Sequence, residues 1–479
     1  MSAAIGIVIL LVTNFFTNPA FFMGVFVFVG LLLIKKPWYE ALAGFIKTAV
    51  GFFILQIGSN GLSNTFRPIV SAIGAKFGLE AAVIDTYFLT SQMVGPDGIY
   101  AMEGAIAWTM LAFVVSFAWN FLLVFLNKWT KCRTIYVTGH TLQTYTSMWL
   151  WFVFLLVPET RNLQFSLLFG ILAGTWAAVG SNMTVEATNK LTGGGLAIGH
   201  QNMWGIWFVD KVAPFLGGKN RDKKVEDIKL PGFLSIFNDN VVSTSVLMTL
   251  FLGTIMVIVG RDTLAAHDTT LTAGTMMPIY ILTTCLHFTV YMYILLAGVR
   301  MFISELMKAF DGISKRFIKG AIPAVDCAVS YNFAHPNVSL IGFVFGFIGQ
   351  LIAIIGLLVF KSPLFLVPGF VPLFFDNATI AVYANAAGGR RAAILAPLFN
   401  GIFQVLISLG MILFVAAGSG ISLIAWPAFF DNNSFLALFL LAVEYVNPAI
   451  VVVGFVVILL LINQLYYRKN KEHYNDHMN

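Results

Sequence analysis

Four short polar stretches carry the side chains of this chain that could do chemistry. Gly199-His200-Gln201-Asn202 sets an imidazole beside two carboxamides, groups that both donate and accept and so suit the hydroxyls and carbonyls of a sugar-like solute. The preceding Gly193-Gly194-Gly195 would let backbone approach a ligand closely. The structural alternative is a polar cluster bonded to its own neighbours at a helix contact. Thr138-Gly139-His140-Thr141-Leu142-Gln143-Thr144 opens an apolar run. A helix start there offers free N–H groups and partial positive charge to an anionic or polar solute, or is simply capped by Thr138 or Thr141. Asp326 stands among Ala, Val and Cys, where a lone carboxylate must be protonated, paired or ligand-facing, unless it bonds a neighbouring backbone N–H. In Asp85-Thr86-Tyr87 the carboxylate suits a helix cap, while Thr86 and Tyr87 offer hydroxyls and a ring face that can stack on a sugar.

The background around these stretches reads almost as lipid. Of 479 residues 58% are hydrophobic and 10% charged, against about a quarter charged in a soluble domain. A mean hydropathy of +0.85 excludes a soluble globular or disordered chain. In a bilayer, polar side chains are costly unless they face protein, water or a ligand, so their placement points to a polar cavity in a carrier or channel. Nucleic acid is excluded as a partner because the basic residues are dispersed between apolar runs. No secretory signal peptide is expected, since no basic residue precedes Lys35. Cys132, Cys285 and Cys327 form no metal or redox motif and read as reduced packing residues. A metal site from His140, His200 and Asp326 has no ligand spacing to support it, and there is no phosphate-cradling loop or nucleophile elbow. No cofactor is expected. His267, His287 and His335 read as interfacial or packing residues, and His473 and His477 as solvated tail.

Apolar runs suitable for spanning lie near 18–34, 38–57, 104–126, 142–158, 163–182, 240–260, 275–299, 337–360, 364–383, 394–418 and 434–463. About eleven crossings put every basic cluster on one side, with the N-terminus outside and the Arg468-Lys469 tail in the cytoplasm. The polar or Gly-rich stretches 58–99, 183–217, 320–336 and 384–393 are expected to be re-entrant hairpins or broken helices. The first includes Gly58-Ser59-Asn60-Gly61 and Val94-Gly95-Pro96-Asp97-Gly98. Two echoes point to a duplicated, inverted architecture: Phe45-Ile46-Lys47-Thr48-Ala49 with Phe317-Ile318-Lys319-Gly320-Ala321, and Asn182-Met183-Thr184-Val185 with Asn377-Ala378-Thr379-Ile380. The halves would be roughly 1–235 and 236–434, followed by a last helix 434–463 and a tail 464–479. The expected fold is an all-α polytopic membrane protein forming one permease unit over 1–479.

These residues resemble the ascorbate-type membrane (IIC) permeases of the bacterial phosphoenolpyruvate-dependent sugar phosphotransferase system. The likeness runs through Gly51-Phe52-Phe53-Ile54-Leu55-Gln56, Asp85-Thr86-Tyr87, Thr138-Gly139-His140, Ile198-Gly199-His200-Gln201, Lys211-Val212-Ala213-Pro214-Phe215-Leu216-Gly217, Asp326-Cys327 and Pro368-Gly369-Phe370. It implies a homodimer in the bacterial inner membrane, each chain a V-shaped assembly of core and scaffold domains moving in an elevator-like cycle. By position, Thr86, Tyr87, the run His140, Thr141, Leu142, Gln143, Thr144, then His200, Gln201 and Asp326 would line the sugar site. The implied cargo is L-ascorbate or a related acidic sugar, phosphorylated by a separate IIB protein served by IIA. The chain itself would not be an enzyme. It departs from the family pattern at Thr141 to Thr144 and at Asn202-Met203-Trp204. Two competing readings are an ion-coupled secondary transporter of a sugar acid, with Asp326 and Lys47 as coupling groups, and a membrane-embedded hydrolase using His140, His200 and Asp326.

Overall fold

A chain this apolar must satisfy its buried backbone N–H and C=O groups from within. The computed structural model, which describes residues 19–78, 80–94, 102, 105–227, 236, 239–317, 321–471 and 474, does so mainly with helices. The first half runs α1 (Pro19–Leu33), α2 (Trp38–Phe77), β1 (Glu80–Ile84), α3 (Thr86–Val94), α4 (Ala105–Phe125), β2 (Thr134–Tyr136) and α5 (Gly139–Leu156). It continues through α6 (Leu163–Met183), α7 (Val185–Thr192), β3 (Ala197–Ile198) and α8 (Met203–Gly217). The second half holds α9 (Asn240–Val259), α10 (Met277–Phe317), β4 (Ile322–Val325), a tight turn of helix Cys327–Phe333, α11 (Pro336–Val359) and β5 (Leu364–Pro368). A widened turn, Pro372–Asp376, leads into α12 (Asn377–Ser419), and a second, Asn432–Leu436, leads into α13 (Ala437–Tyr445) and α14 (Pro448–Lys469).

Among the described residues seven helices are long and apolar enough to cross a membrane, or eight if the bent pair Thr244–Val259 and Arg261–His267 is one span. The sequence reading of eleven is not reached, for identifiable reasons. The described part of α1 is 15 residues long, and residues 1–18 lie outside the described residues. Gln143, Thr144, Thr146 and Ser147 dilute the apolar character of α5. The runs 364–383 and 394–418 are β5 followed by one helical stretch, Pro372–Ser419. The expected interruption at Gly58 to Gly61 is also absent, because α2 continues through it. Those glycines serve a helix contact instead: a Cβ on Gly58 would stand 2.4 Å from the Leu295 backbone nitrogen of α10. Residues 95–98 of the Val94 to Gly98 stretch lie outside the described residues.

Among the described residues five short strands modify the all-helical expectation. They are mostly buried and rich in β-branched and aromatic residues, and they pair in parallel as β2-β4-β3 and β1-β5. Tyr136 and Ala197 both lie opposite Ala324, and Ile198 lies opposite Val325. Pro323 lacks an N–H, and it falls where β4 has a partner on one side only. Val83 of β1 also bridges to Ala425, through Val83 N to the Ile424 carbonyl (2.8 Å) and Trp426 N to the Val83 carbonyl (3.1 Å). The pairing crosses the halves: β4 lies between β2 and β3, and β1 between β5 and the Ala425 segment.

The two sequence echoes do not occupy equivalent places. Phe45 lies early in α2 whereas Phe317 ends α10, and Ile318 to Gly320 are outside the described residues. Asn182 lies at the end of α6 whereas Asn377 begins α12. Lys47, a coupling candidate, instead reaches Glu305 of α10 at 3.5 Å. The Lys308 ammonium bonds the same Glu305 carboxylate at 2.6 Å.

Two devices hold the frame. In α12 the helix breaks at Gly389 (φ 72°, ψ −170°), where a Cβ would stand 2.4 Å from the Arg221 carbonyl oxygen. Lys224 Nζ donates to the Asn385 and Ala386 carbonyls at 2.8 and 3.0 Å, capping the first half of the broken helix, and Arg390 N donates to the Lys223 carbonyl. Near the other end of the chain Arg133, 1% exposed, donates to the Tyr474 carbonyl (2.7 Å), to Asn182 Oδ1 (2.9 Å) and to Glu186 Oε1 (3.0 Å). The Tyr474 ring lies 3.6 Å from its guanidinium carbon.

Gly389→Ala should lower stability by about 1–3 kcal/mol through strain at a positive φ, read as an earlier unfolding transition of the purified protein; an unchanged transition would mean that the 221–226 loop does not lock the break. Tyr474→Ala should cost about 2 kcal/mol by stripping the ring from a desolvated guanidinium. A Tyr474→Phe variant should retain most of that stability.

Candidate polar binding site

The short ladder β2-β4-β3 explains how residues far apart in sequence meet. Its strands end side by side, with Val137 N on the Ala324 carbonyl at 3.0 Å and Gly199 N on the Val325 carbonyl at 2.8 Å. Directly beyond those bonds come His140 from β2, His200 from β3 and Asp326 from β4. His140 Nε2 lies 3.0 Å from Asp326 Oδ2, so the imidazole donates to the carboxylate. The other oxygen, Asp326 Oδ1, accepts from Ala328 N at 2.9 Å. The carboxylate is thus both paired and a cap for the turn that follows it. Ligand atoms of His200, Asp326 and Cys327 lie within 4.8 Å of one another, a set whose nitrogen, oxygen and sulfur donors suit a borderline or soft metal ion. Cys327 also packs in a buried apolar cluster with Ile198 and Val338.

The His200 ring is tilted against Phe429 with centroids 5.0 Å apart, and its buried Nδ1 has no hydrogen-bond partner. Thr86 Oγ1, at the start of α3, is likewise buried and unpaired. An unmatched buried polar atom costs about 1–3 kcal/mol, so both atoms are suited to a polar guest. Tyr87 follows on α3, and its hydroxyl is within electrostatic range of Asp326 and Cys327.

The remaining sequence candidates have other engagements. Thr141 Oγ1 bonds the Tyr136 hydroxyl (2.8 Å) and the Thr138 and Gly199 carbonyls (2.9 and 3.3 Å), stapling helix start to strand ends. Neither Thr138 nor Thr141 caps α5 with its side chain; the Thr138 hydroxyl donates to the Ala324 carbonyl. Leu142 is wholly buried in the apolar core. Gln143 donates to Ser147 Oγ (3.1 Å), and Thr144 Oγ1 returns to the His140 carbonyl (2.7 Å); both line a narrow cleft with Thr90, Met93 and Ala105. Gln201 Oε1 accepts from Asn432 Nδ2 at 2.8 Å, and Trp149 Nε1 holds Asn432 Oδ1 at 2.8 Å.

Of the carboxyl groups that hold the helix starts together, sequence reasoning found Asp85 as a cap and missed Asp431 and Asp376. Asp85 does cap α3, through Tyr87 N and Phe88 N at 2.9 and 3.0 Å, but its second oxygen also accepts from Val371 N of the other half (3.2 Å). Asp431 accepts from Met203 N, Trp204 N and Gly205 N, capping α8 directly after His200-Gln201. Asp376 in turn accepts from Phe430 N at 3.0 Å. A signal for these residues exists: Pro-x-Phe-Phe-Asp-Asn occurs at Pro372 to Asn377 and again at Pro427 to Asn432, each beside a widened helical turn.

A model of the PTS system sugar-specific permease component family (EIIC-GAT) matches residues 14–428. The chain is also similar to the ascorbate-specific PTS system EIIC component of Mycoplasma pneumoniae, with 31% identity over 431 residues. That alignment takes in 82% of this chain and 65% of the relative, so the chain spans just under two thirds of the relative's length. Polar strand ends gathered inside a helical, strongly apolar frame, together with a family match over most of its length, make this chain a member of the PTS sugar-specific permease component family.

Proposed function

We propose that the chain is the membrane permease unit that binds L-ascorbate, or a closely related acidic sugar, and carries it across the bacterial inner membrane, with release coupled to phosphorylation by a separate IIB protein. The observation that carries this reading is the convergence of His140, His200 and Asp326, with the buried Nδ1 of His200 left unpaired; Thr86 Oγ1 is a second buried polar atom without a partner. Asp326 is no obstacle to an anionic sugar. Its two oxygens already accept from His140 at 3.0 Å and from a backbone N–H, which leaves His200 and the hydroxyls of Thr86 and Tyr87 to meet the guest. The name of the Mycoplasma relative supports ascorbate as cargo.

The same reading includes an inverted repeat of roughly 1–235 and 236–434. The order long helix, strand, short helical element, helix, strand, a set of helices, strand pairing and helix occurs once from α2 to α8 and again from α10 to α13, which supports duplication. In this proposal two chains form a dimer, the polar core slides against a scaffold containing the α2 and α10 rods, and the basic loops and Arg468-Lys469 face the cytoplasm.

Binding of labelled ascorbate to the purified protein tests the site. His200→Ala and Asp326→Asn should each weaken binding by about 10–100-fold, as expected for lost bonds to charged or desolvated groups. Thr86→Val should weaken it by roughly 3–10-fold. Wild-type affinity in all three variants would refute the cavity. In proteoliposomes with IIB, IIA and a phosphate donor, ascorbate should accumulate as its phosphate ester; accumulation of the free sugar without those proteins would refute the coupling.

A further inference from the structure

Behind the polar site, α11 and α12 enclose a network of amides whose orientations fix one another. Asn377 Nδ2 donates to the Leu373 carbonyl (2.9 Å) and to Gln404 Oε1 (3.1 Å), and Gln350 Nε2 donates to the same Gln404 oxygen (2.8 Å). Gln404 Nε2 therefore points the other way, to Asp376 Oδ2 (2.9 Å). Asn400 Nδ2 donates to Asn377 Oδ1 and to Asp376 Oδ2, each at 3.0 Å. Turning the Asn400 amide over would set its oxygen against two acceptors.

This leaves an asymmetry on Asp376. Its Oδ2 accepts three hydrogen bonds, from Asn400, Gln404 and Phe430 N, while Oδ1 accepts none. Asn400 Oδ1 is also buried without a donor, so both groups that share the Nδ2–Oδ2 bond carry an unmatched oxygen. Asp376 is 0% exposed and Asn400 6%. Asn202 faces the same carboxyl, but its amide nitrogen makes no hydrogen bond. The titratable groups facing Asp376 are Asp431 and Cys327.

We infer that Asp376 is a proton-binding site, with the proton on Oδ1 directed at Asn400 Oδ1. Acid and amide then pair through two antiparallel hydrogen bonds, N–H to O and O–H to O, and one proton satisfies both unmatched oxygens. The proton also removes one of two like charges. Asp431 follows Phe430, whose N–H already bonds Asp376, and Asp431 has both oxygens engaged by N–H groups of α8. Asp431 thus has no unmatched oxygen for a proton to serve, whereas Asp376 has one. Through Asp431 and α8 the protonated carboxyl supports the His200-Gln201 segment, and only that last link rests on the proposed function.

Infrared difference spectra of the wild-type protein and Asp376→Asn in lipid nanodiscs test the assignment. A protonated-carboxyl C=O band should be present in the wild type, absent from Asp376→Asn and shifted in Asn400→Leu. Asp376→Asn should unfold at the wild-type temperature, since its amide can donate to Asn400 Oδ1, whereas Asp376→Ala should unfold earlier. Loss of no acid band in Asp376→Asn, or unfolding of that variant as early as Asp376→Ala, would overturn the inference. Failure of the wild type to bind ascorbate would sink the transport reading and leave these two readouts unaffected.

Discussion

Backbone pairing of β4 with β2 on one side and β3 on the other is the interaction on which the rest of this structure depends. A chain cannot stop being helical inside an apolar medium unless the freed N–H and C=O groups find partners. Here strands of two to five residues supply them, and the ladder is parallel, so consecutive strands deliver their ends to one place. His140, His200 and Asp326 stand together because each follows a paired strand within four residues of its end. The alignment of Tyr136 and Ala197 with Ala324 sets their relative depth, and a shift of one residue would turn each side chain to the opposite face.

The helices that start at those strand ends need their first N–H groups satisfied, and buried carboxylates do this across element boundaries. Asp85 joins the start of α3 to the segment after β5. Asp431 joins the last segment to α8, and Asp376 joins α12 to that last segment. A carboxylate at a helix N-terminus is favoured by the local dipole, and its cost of burial is offset when several backbone donors converge on it. The acidic residues most deeply enclosed in this protein thus behave chiefly as joints. Asp326 differs in facing an imidazole with part of its surface open.

Much of this was legible in the residues. Low charge and long apolar runs identified a multi-pass membrane chain, and all eleven runs contain helix, although fewer of those helices qualify as spans. The polar stretches around residues 85, 140, 200 and 326 do fall at breaks between regular elements. The strands were not legible, because a run such as Leu364-Phe365-Leu366-Val367-Pro368 has the same composition as a helix start, and periodicity cannot separate them when every face is buried. Gly58 to Gly61 misled for the opposite reason: glycine marks both a break and a close helix contact, and only the neighbour α10 decides which.

Sequence alone determined the medium, the class of fold and the identity of the polar groups, because those follow from transfer energies that each residue carries with it. Tertiary structure decided which of those groups share a space. Thr141 and Gln201 were turned to hold the frame, His140 was given to Asp326, and Asp376 was set against Asn400. Such partnerships depend on the pairing of strands from opposite halves of the chain, and no local pattern encodes the register in which distant segments meet.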